Sequence, residues 1–357
     1  EFHTGQVYPG NNFEYHIIPF LSAFEANTAS IMPYYGVPTD QTSENVGMSF
    51  NKDIITKLLR NKYKFEGVVC TDWGLISDSP MGQGIVYPAR AWGAESLSEE
   101  DRVKKVIDAG CDQFGGENCV QHVISLIKNG KISEARIDQS LRRILKQKFE
   151  LGLFDNPYVN INNLQKNVGR PEWIALGEKT QRRALTLLKN DQKTCPLAPG
   201  KYKIYVKGVK PEVAEKYGLV VDSPEEADFA IIRTITPWVP VDTKNPFAKS
   251  FHHGDLDFKG AEKEEILNIC KKVPTIFNIY LDRPAVFPEI NAAAKVVIAD
   301  FGANDAALMD VIFGKAKPEG KLPFELPSSM DAVRNQKEDL PYDSKDPLYK
   351  FGFGLRY

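Results

Sequence analysis

The chain has 357 residues, of which 42% are hydrophobic and 26% charged, with a formal net charge of −2. That length suits roughly two domains with a sizeable core, and a near-neutral balance supplies no basic field for nucleic acid or an anionic membrane surface. No apolar run approaches the ~18 residues of a membrane span, and the opening Glu1-Phe2-His3-Thr4 has neither the basic nor the apolar region of a signal peptide.

In chain order, residues 13–27 read as a helix, with Pro19 tolerable only near its start, followed by a short strand over 29–35. Residues 49–62 read as a second helix: Asn51 and Asp53 supply polar starts, and Ile54, Ile55, Leu58 and Leu59 recur at helical spacing. A strand over 67–71, a helix over 98–109 and a strand over 110–114 follow. Residues 133–151 form a long amphipathic helix that Gly152 stops. This alternation implies parallel βα units. Residues 1–155 are read as one domain and the Asn-rich stretch 156–171 as a linker. Residues 172–357 are read as a second α/β domain that opens with a helix over 172–188. Its strands are expected at 203–206, 227–234, 275–280, 295–299 and 322–326, with helices at 262–272 and 305–313. Residues 237–260 form a long irregular stretch, of the kind that is usually functional or disordered. The cysteines are Cys70, Cys111, Cys119, Cys195 and Cys270, an odd number with no CxxC pair. Free thiols are therefore expected, not a disulfide framework or a zinc site.

The stretch GVVCTDWG, residues 67–74, ends a strand on a carboxylate, an indole and a glycine. Asp72 at the C-terminal end of a barrel strand would face an active site and could attack a sugar's anomeric carbon. Trp73 offers a flat apolar face for a sugar ring, and Gly74 allows a sharp turn. From spacing alone, Asp72 reads first as the cap of the next helix.

The stretch resembles the nucleophile motif of glycoside hydrolase family 3, roughly G-[FV]-V-x-[ST]-D-W-[GE]. Four more segments agree in the family's order: SIMPYY at 30–35, ALTLLKN at 184–190, GKLPF at 320–324 and FGFGLRY at 351–357. The resemblance implies the C-terminal part of a TIM-like (β/α)8 barrel followed by an α/β sandwich domain. It implies Asp72 as nucleophile, Met32 and Tyr35 as sugar contacts and Trp73 as the wall of the next subsite. A structural hydrogen bond is expected of Asp112. The activity implied is that of a retaining, exo-acting β-glycosidase, a β-glucosidase first, with β-xylosidase or N-acetyl-β-glucosaminidase as alternatives. Carbohydrate is the expected partner and no metal or organic cofactor is needed. A non-catalytic carbohydrate-binding fragment is the rival from another class.

Two departures from the family pattern stand out. The family's K-H-F segment and its upstream Asp and Arg are missing, and the sequence begins near the sixth strand, leaving roughly three of the eight strands of a closed barrel. An upstream barrel segment, separate from the residues of this sequence, is therefore an expected partner. The acid/base is the second departure. In many members it is a Glu on a loop of the second domain. Here Asn245-Pro246-Phe247-Ala248 resembles the end of that loop motif and puts Lys244 where the Glu should stand. Asp242, Asp255 and His252 remain as near-equal candidates for proton transfer.

Overall fold

The computed structural model describes residues 5–82, 84–241 and 248–357. The chain divides into two compact units, Glu1–Asn160 with Lys337–Asp339, and Ile161–Gln336 with Leu340–Tyr357.

The first unit is built around three parallel strands, β1 (Ser30–Ile31), β2 (Val68–Trp73) and β3 (Gln113–Gly115), with β2 in the middle. This is the C-terminal part of a (β/α)8 barrel. β1 and β2 align Ser30 with Val68 and Ile31 with Val69, whereas the register between β2 and β3 shifts between Cys70 and Trp73. Helices Phe13–Glu25, Glu99–Ala109, Val120–Lys128 and Glu134–Glu150 accompany the strands. The expected helix over 49–62 is instead a 3-10 turn, Met48–Phe50, leading into a π-helix, Asp53–Lys62. Val69 of β2 packs with Ile55, Leu59, Val103, Val106 and Leu126 in one buried cluster. Ser98 and Ser133 each accept a hydrogen bond from the backbone three residues on, which starts their helices.

The N-terminal ends of the strands are tied by Asp112, whose side chain is fully buried. It accepts from Arg60 Nη2 at 2.6 Å, Arg143 Nη1 at 2.9 Å, Ser140 Oγ at 2.7 Å and the Val69 amide at 3.0 Å. Arg60 also donates to the carbonyls of Phe65 and Gly67. Asp112 thus makes the structural hydrogen bonds expected of it, and these partners offset the cost of burying its polar oxygens.

The second unit is a six-stranded sheet. Its strands are β4 (Thr186–Asn190), β5 (Lys203–Lys207), β6 (Leu219–Val220), β7 (Phe229–Ile235), β8 (Thr275–Tyr280) and β9 (Val296–Asp300). They lie in the order β6-β5-β7-β8-β9-β4, all parallel except β4, which runs antiparallel to β9. Alternate residues feed two cores. Ile231, Ile276, Val296 and Ile298 join one cluster, while Ala230, Ile232, Phe277, Val297 and Ala299 join the other. A sheet buried on both faces explains why these strands read as unbroken apolar runs.

Two expected elements differ. The helix expected over 172–188 ends earlier, at Pro171–Ala184, and residues from Thr186 form β4. Leu185, Leu187 and Leu188 are buried in the sheet's cores, so burial against β9 overrides a helical pattern that was continuous in sequence. Residues 322–326 form no regular strand: they face residues 349–353 through an isolated antiparallel bridge, Leu326 to Tyr349, and through backbone hydrogen bonds from the Leu322 amide to Phe353 and from the Gly352 amide to Leu322. All five cysteines are free thiols.

Candidate active site

β2 delivers Asp72 near its C-terminal end. Side chains alternate along a strand, so Asp72 shares a face with Cys70, and the Cys70 thiol is pushed up by burial and then by the Asp72 charge. Asp72 is half-buried, and its Oδ1 accepts from the Trp73 amide at 3.3 Å. The helix-cap alternative fails on geometry. The chain bends after Trp73 into a two-stranded ribbon, Ser79–Gly82 with Ile85–Tyr87, and the next helix takes its cap from Ser98.

Trp73 is 52% exposed. One part of its indole lies against Gly115 and another against Gly116: a Cβ on Gly115 would meet Cε3 at 2.6 Å, and one on Gly116 would meet Cδ1 at 2.1 Å. The two glycines form a shelf on which the ring rests. Thr71, the buried hydroxyl in the motif, accepts from the Gly115 amide at 2.9 Å and pins that shelf to β2.

Tyr35 is nearly buried, and its hydroxyl donates to the Trp73 carbonyl at 2.6 Å. Arg90 places its guanidinium over the rings of Tyr35 and Tyr87, at 4.7 and 4.0 Å, and donates to the same carbonyl at 3.2 Å. Glu117 supports the turn after Trp73, accepting from the Ile76 amide at 2.7 Å, and burial raises its pKa. Arg90 and Glu117 carry no local signal in the sequence, because neither lies in a periodic pattern or beside the motif. Met32 is 51% exposed and lines an apolar groove with Phe13, Phe20, Ile54 and Tyr63. Asp72, Trp73 and Tyr35 therefore gather at one strand end.

The proton-transfer candidates lie in the second unit. Asp242 and Lys244 are outside the described residues. Asp255 pairs with Lys259 at 2.5 Å and Arg334 at 3.1 Å, and the Lys259 hydrogen bond holds its carboxyl below the usual range. His252 sits in a two-stranded ribbon, with Pro240 opposite it. Its Nδ1 lies 2.5 Å from Asp282 Oδ2, and its ring stacks on Trp238 at 4.0 Å. A carboxylate can only accept, so Nδ1 carries the proton and Nε2 is the nitrogen left for other chemistry. Arg283 donates to the carbonyls of Gly254 and Pro237, fixing both ends of the ribbon. Among the described residues no group of His, Cys, Asp and Glu could hold a metal ion.

Residues 6–147 match the glycosyl hydrolase family 3 N terminal domain, and residues 214–357 match that family's C-terminal domain. The chain belongs to glycosyl hydrolase family 3. Beta-glucosidase C of Emericella nidulans is 48% identical to it over 355 residues, covering 99% of this chain and 57% of that protein. A periplasmic beta-glucosidase/beta-xylosidase of Dickeya chrysanthemi is 40% identical, covering 97% of this chain and 55% of that protein. Among solved structures, a beta-glucosidase from Listeria innocua in complex with isofagomine superposes with a TM-score of 0.77 at 18% identity, covering 99% of this chain and 56% of that one. The chain thus spans little more than half the length of the family 3 relatives it matches.

Proposed function

We propose that this chain carries the nucleophile and the second domain of a retaining, exo-acting β-glycosidase, with β-glucosides as substrates. The observation that carries the reading is Asp72 at the C-terminal end of β2, next to the exposed indole of Trp73. In this reading Asp72 attacks the anomeric carbon, and the bond to the leaving oxygen breaks as that oxygen takes a proton. Water then cleaves the glycosyl–Asp72 ester. His252, oriented by Asp282, is the group on the second unit best suited to give and take that proton; Asp255, ionised and paired twice, is poorly suited. A further barrel segment supplies the remaining strands and sugar contacts. Its support is the short edge strand β1, with exposed Ile18, Phe20 and Met32 nearby in sequence. The Dickeya relative's name carries both activities, so β-xylosides are the second substrate class to assay.

The test is Asp72→Ala in the enzyme with its barrel complete, assayed on an aryl β-glucoside. Turnover should vanish, and azide should restore product with inverted anomeric configuration. A variant that hydrolyses the substrate at near-normal rate overturns the nucleophile assignment. A wild-type enzyme that binds but never hydrolyses β-glycosides overturns the catalytic reading in favour of a binding fragment.

A further inference from the structure

The backbone just after Asp72 is held in an unusual way. The ladder between β2 and β3 is regular at Cys70–Gln113 and resumes at Trp73–Gly115, but its register shifts in between, where Asp72 sits. Regular strand pairing therefore does not fix the nucleophile's backbone. Side chains take over that task. The Trp73 amide donates to Tyr35 Oη at 3.3 Å, and the Trp73 carbonyl accepts from Tyr35 Oη at 2.6 Å and from Arg90 Nη1 at 3.2 Å. The Arg90 amide donates to the Gly74 carbonyl at 2.8 Å. The tyrosine is in turn wedged by the guanidinium over its face and by Trp92, whose ring centroid lies 6.1 Å from its own. Gly74, at φ +63°, is left-handed, and this lets the chain turn back so that Arg90 can reach both carbonyls.

We infer that Tyr35 and Arg90 are positioning residues for Asp72: they clamp the polar backbone atoms of Trp73 and so set where the preceding carboxylate points. The inference rests on the glycosidase reading. Nucleophilic attack needs the carboxylate oxygen within ~3–3.5 Å of the carbon and in line with the leaving bond, and a displacement of ~1 Å can cost about 100-fold in rate. A clamp acting through the backbone affects formation of the glycosyl–enzyme bond. It leaves ground-state sugar contacts made elsewhere largely alone.

The test compares Tyr35→Phe, Arg90→Lys and Arg90→Ala with wild type in the barrel-complete enzyme. An activated 2-deoxy-2-fluoro-β-glucoside traps the covalent intermediate, and kcat and KM are measured on an aryl β-glucoside. Tyr35→Phe removes one hydroxyl and keeps the stacked ring, so it remains decisive should Arg90→Ala fold poorly. Trapping rate and kcat should fall by roughly 10–100-fold while KM stays within about threefold. Arg90→Lys, which keeps the charge over the rings but loses the fork, should fall in between. A raised KM with unchanged trapping would make the pair direct sugar contacts and overturn the inference. So would unchanged trapping and turnover in Tyr35→Phe. A wild-type enzyme that is never labelled on Asp72 overturns the glycosidase reading itself, and the clamp's catalytic role falls with it.

Discussion

Trp73 and Gly116 share space that no larger residue could share: a Cβ at position 116 would come within 2.1 Å of the indole Cδ1 and 2.5 Å of Nε1. Gly116 also has φ +65°, where side-chain-bearing residues are strained. Gly116→Ala should therefore cost roughly 1–3 kcal/mol of stability and tip the indole off its shelf. Urea unfolding reads the first effect and near-ultraviolet circular dichroism the second. An unchanged aromatic spectrum would show that the ring does not depend on the glycine.

Asp112 should behave oppositely to Asp72. Its side chain is fully buried between Arg60 and Arg143, so Asp112→Ala leaves two guanidiniums without their counter-charge. The expected loss is about 3–5 kcal/mol in denaturant unfolding. The fraction that folds should still be labelled on Asp72 by the fluoro-glucoside. A stable but inactive Asp112 variant would contradict the structural assignment.

Asp310 gives the second unit a pH-dependent element. Burial would raise its pKa, but the Tyr217 hydroxyl and Arg182 Nε, each at 2.6 Å, outweigh that and hold it below the usual carboxylate range. A lowered folded-state pKa means that the stabilisation is present above the unfolded value of about 3.9 and is lost as pH falls through the folded value. Wild type should therefore lose more urea resistance than Asp310→Asn between pH 6 and pH 3. Parallel losses would refute the assignment.

The loop candidates separate by substitution. Asp255→Asn removes ion pairs at the surface and should leave turnover of glucosides with poor leaving groups close to wild type. His252→Gln should lower it by roughly 10²–10⁴-fold, and much less for a dinitrophenyl glucoside, whose leaving group needs no proton. Equal effects on both substrates would remove His252 from the proton-transfer role.

Thiol reactivity offers a check on burial. The Cys119 and Cys195 thiols are each pushed up to about 12, chiefly by burial, and that of Cys111 is also raised by burial. At pH 8 iodoacetamide should leave these three unmodified in the native protein and alkylate all five cysteines in urea, as read by peptide mass. Native labelling of Cys111 would mean that the core around it opens.

What could be read without coordinates was local. The strand–turn pattern of residues 67–74 brought Asp72 and Trp73 forward, but spacing alone left a helix cap open for Asp72, and it was the resemblance to the family's motif that favoured the nucleophile. The apolar runs at 275–280 and 295–299 marked central strands, because a sheet buried on both faces leaves no polar alternation. Residues 185–188 misled, because a run of leucines after a helix fits either period, and only pairing with β9 decides between them. Arg90, Glu117, Asp282 and the glycine shelf under Trp73 had no such local signal. Arg90 lies 17 residues from Trp73 in the chain, Glu117 41 from Ile76 and Asp282 30 from His252. Hydrogen bonds and ring contacts depend on ångström-scale proximity, and over such separations that proximity is set by how strands and loops pack. Sequence thus determined which residue types could do the chemistry at a strand end, and the tertiary structure alone decided which distant side chains hold them in place.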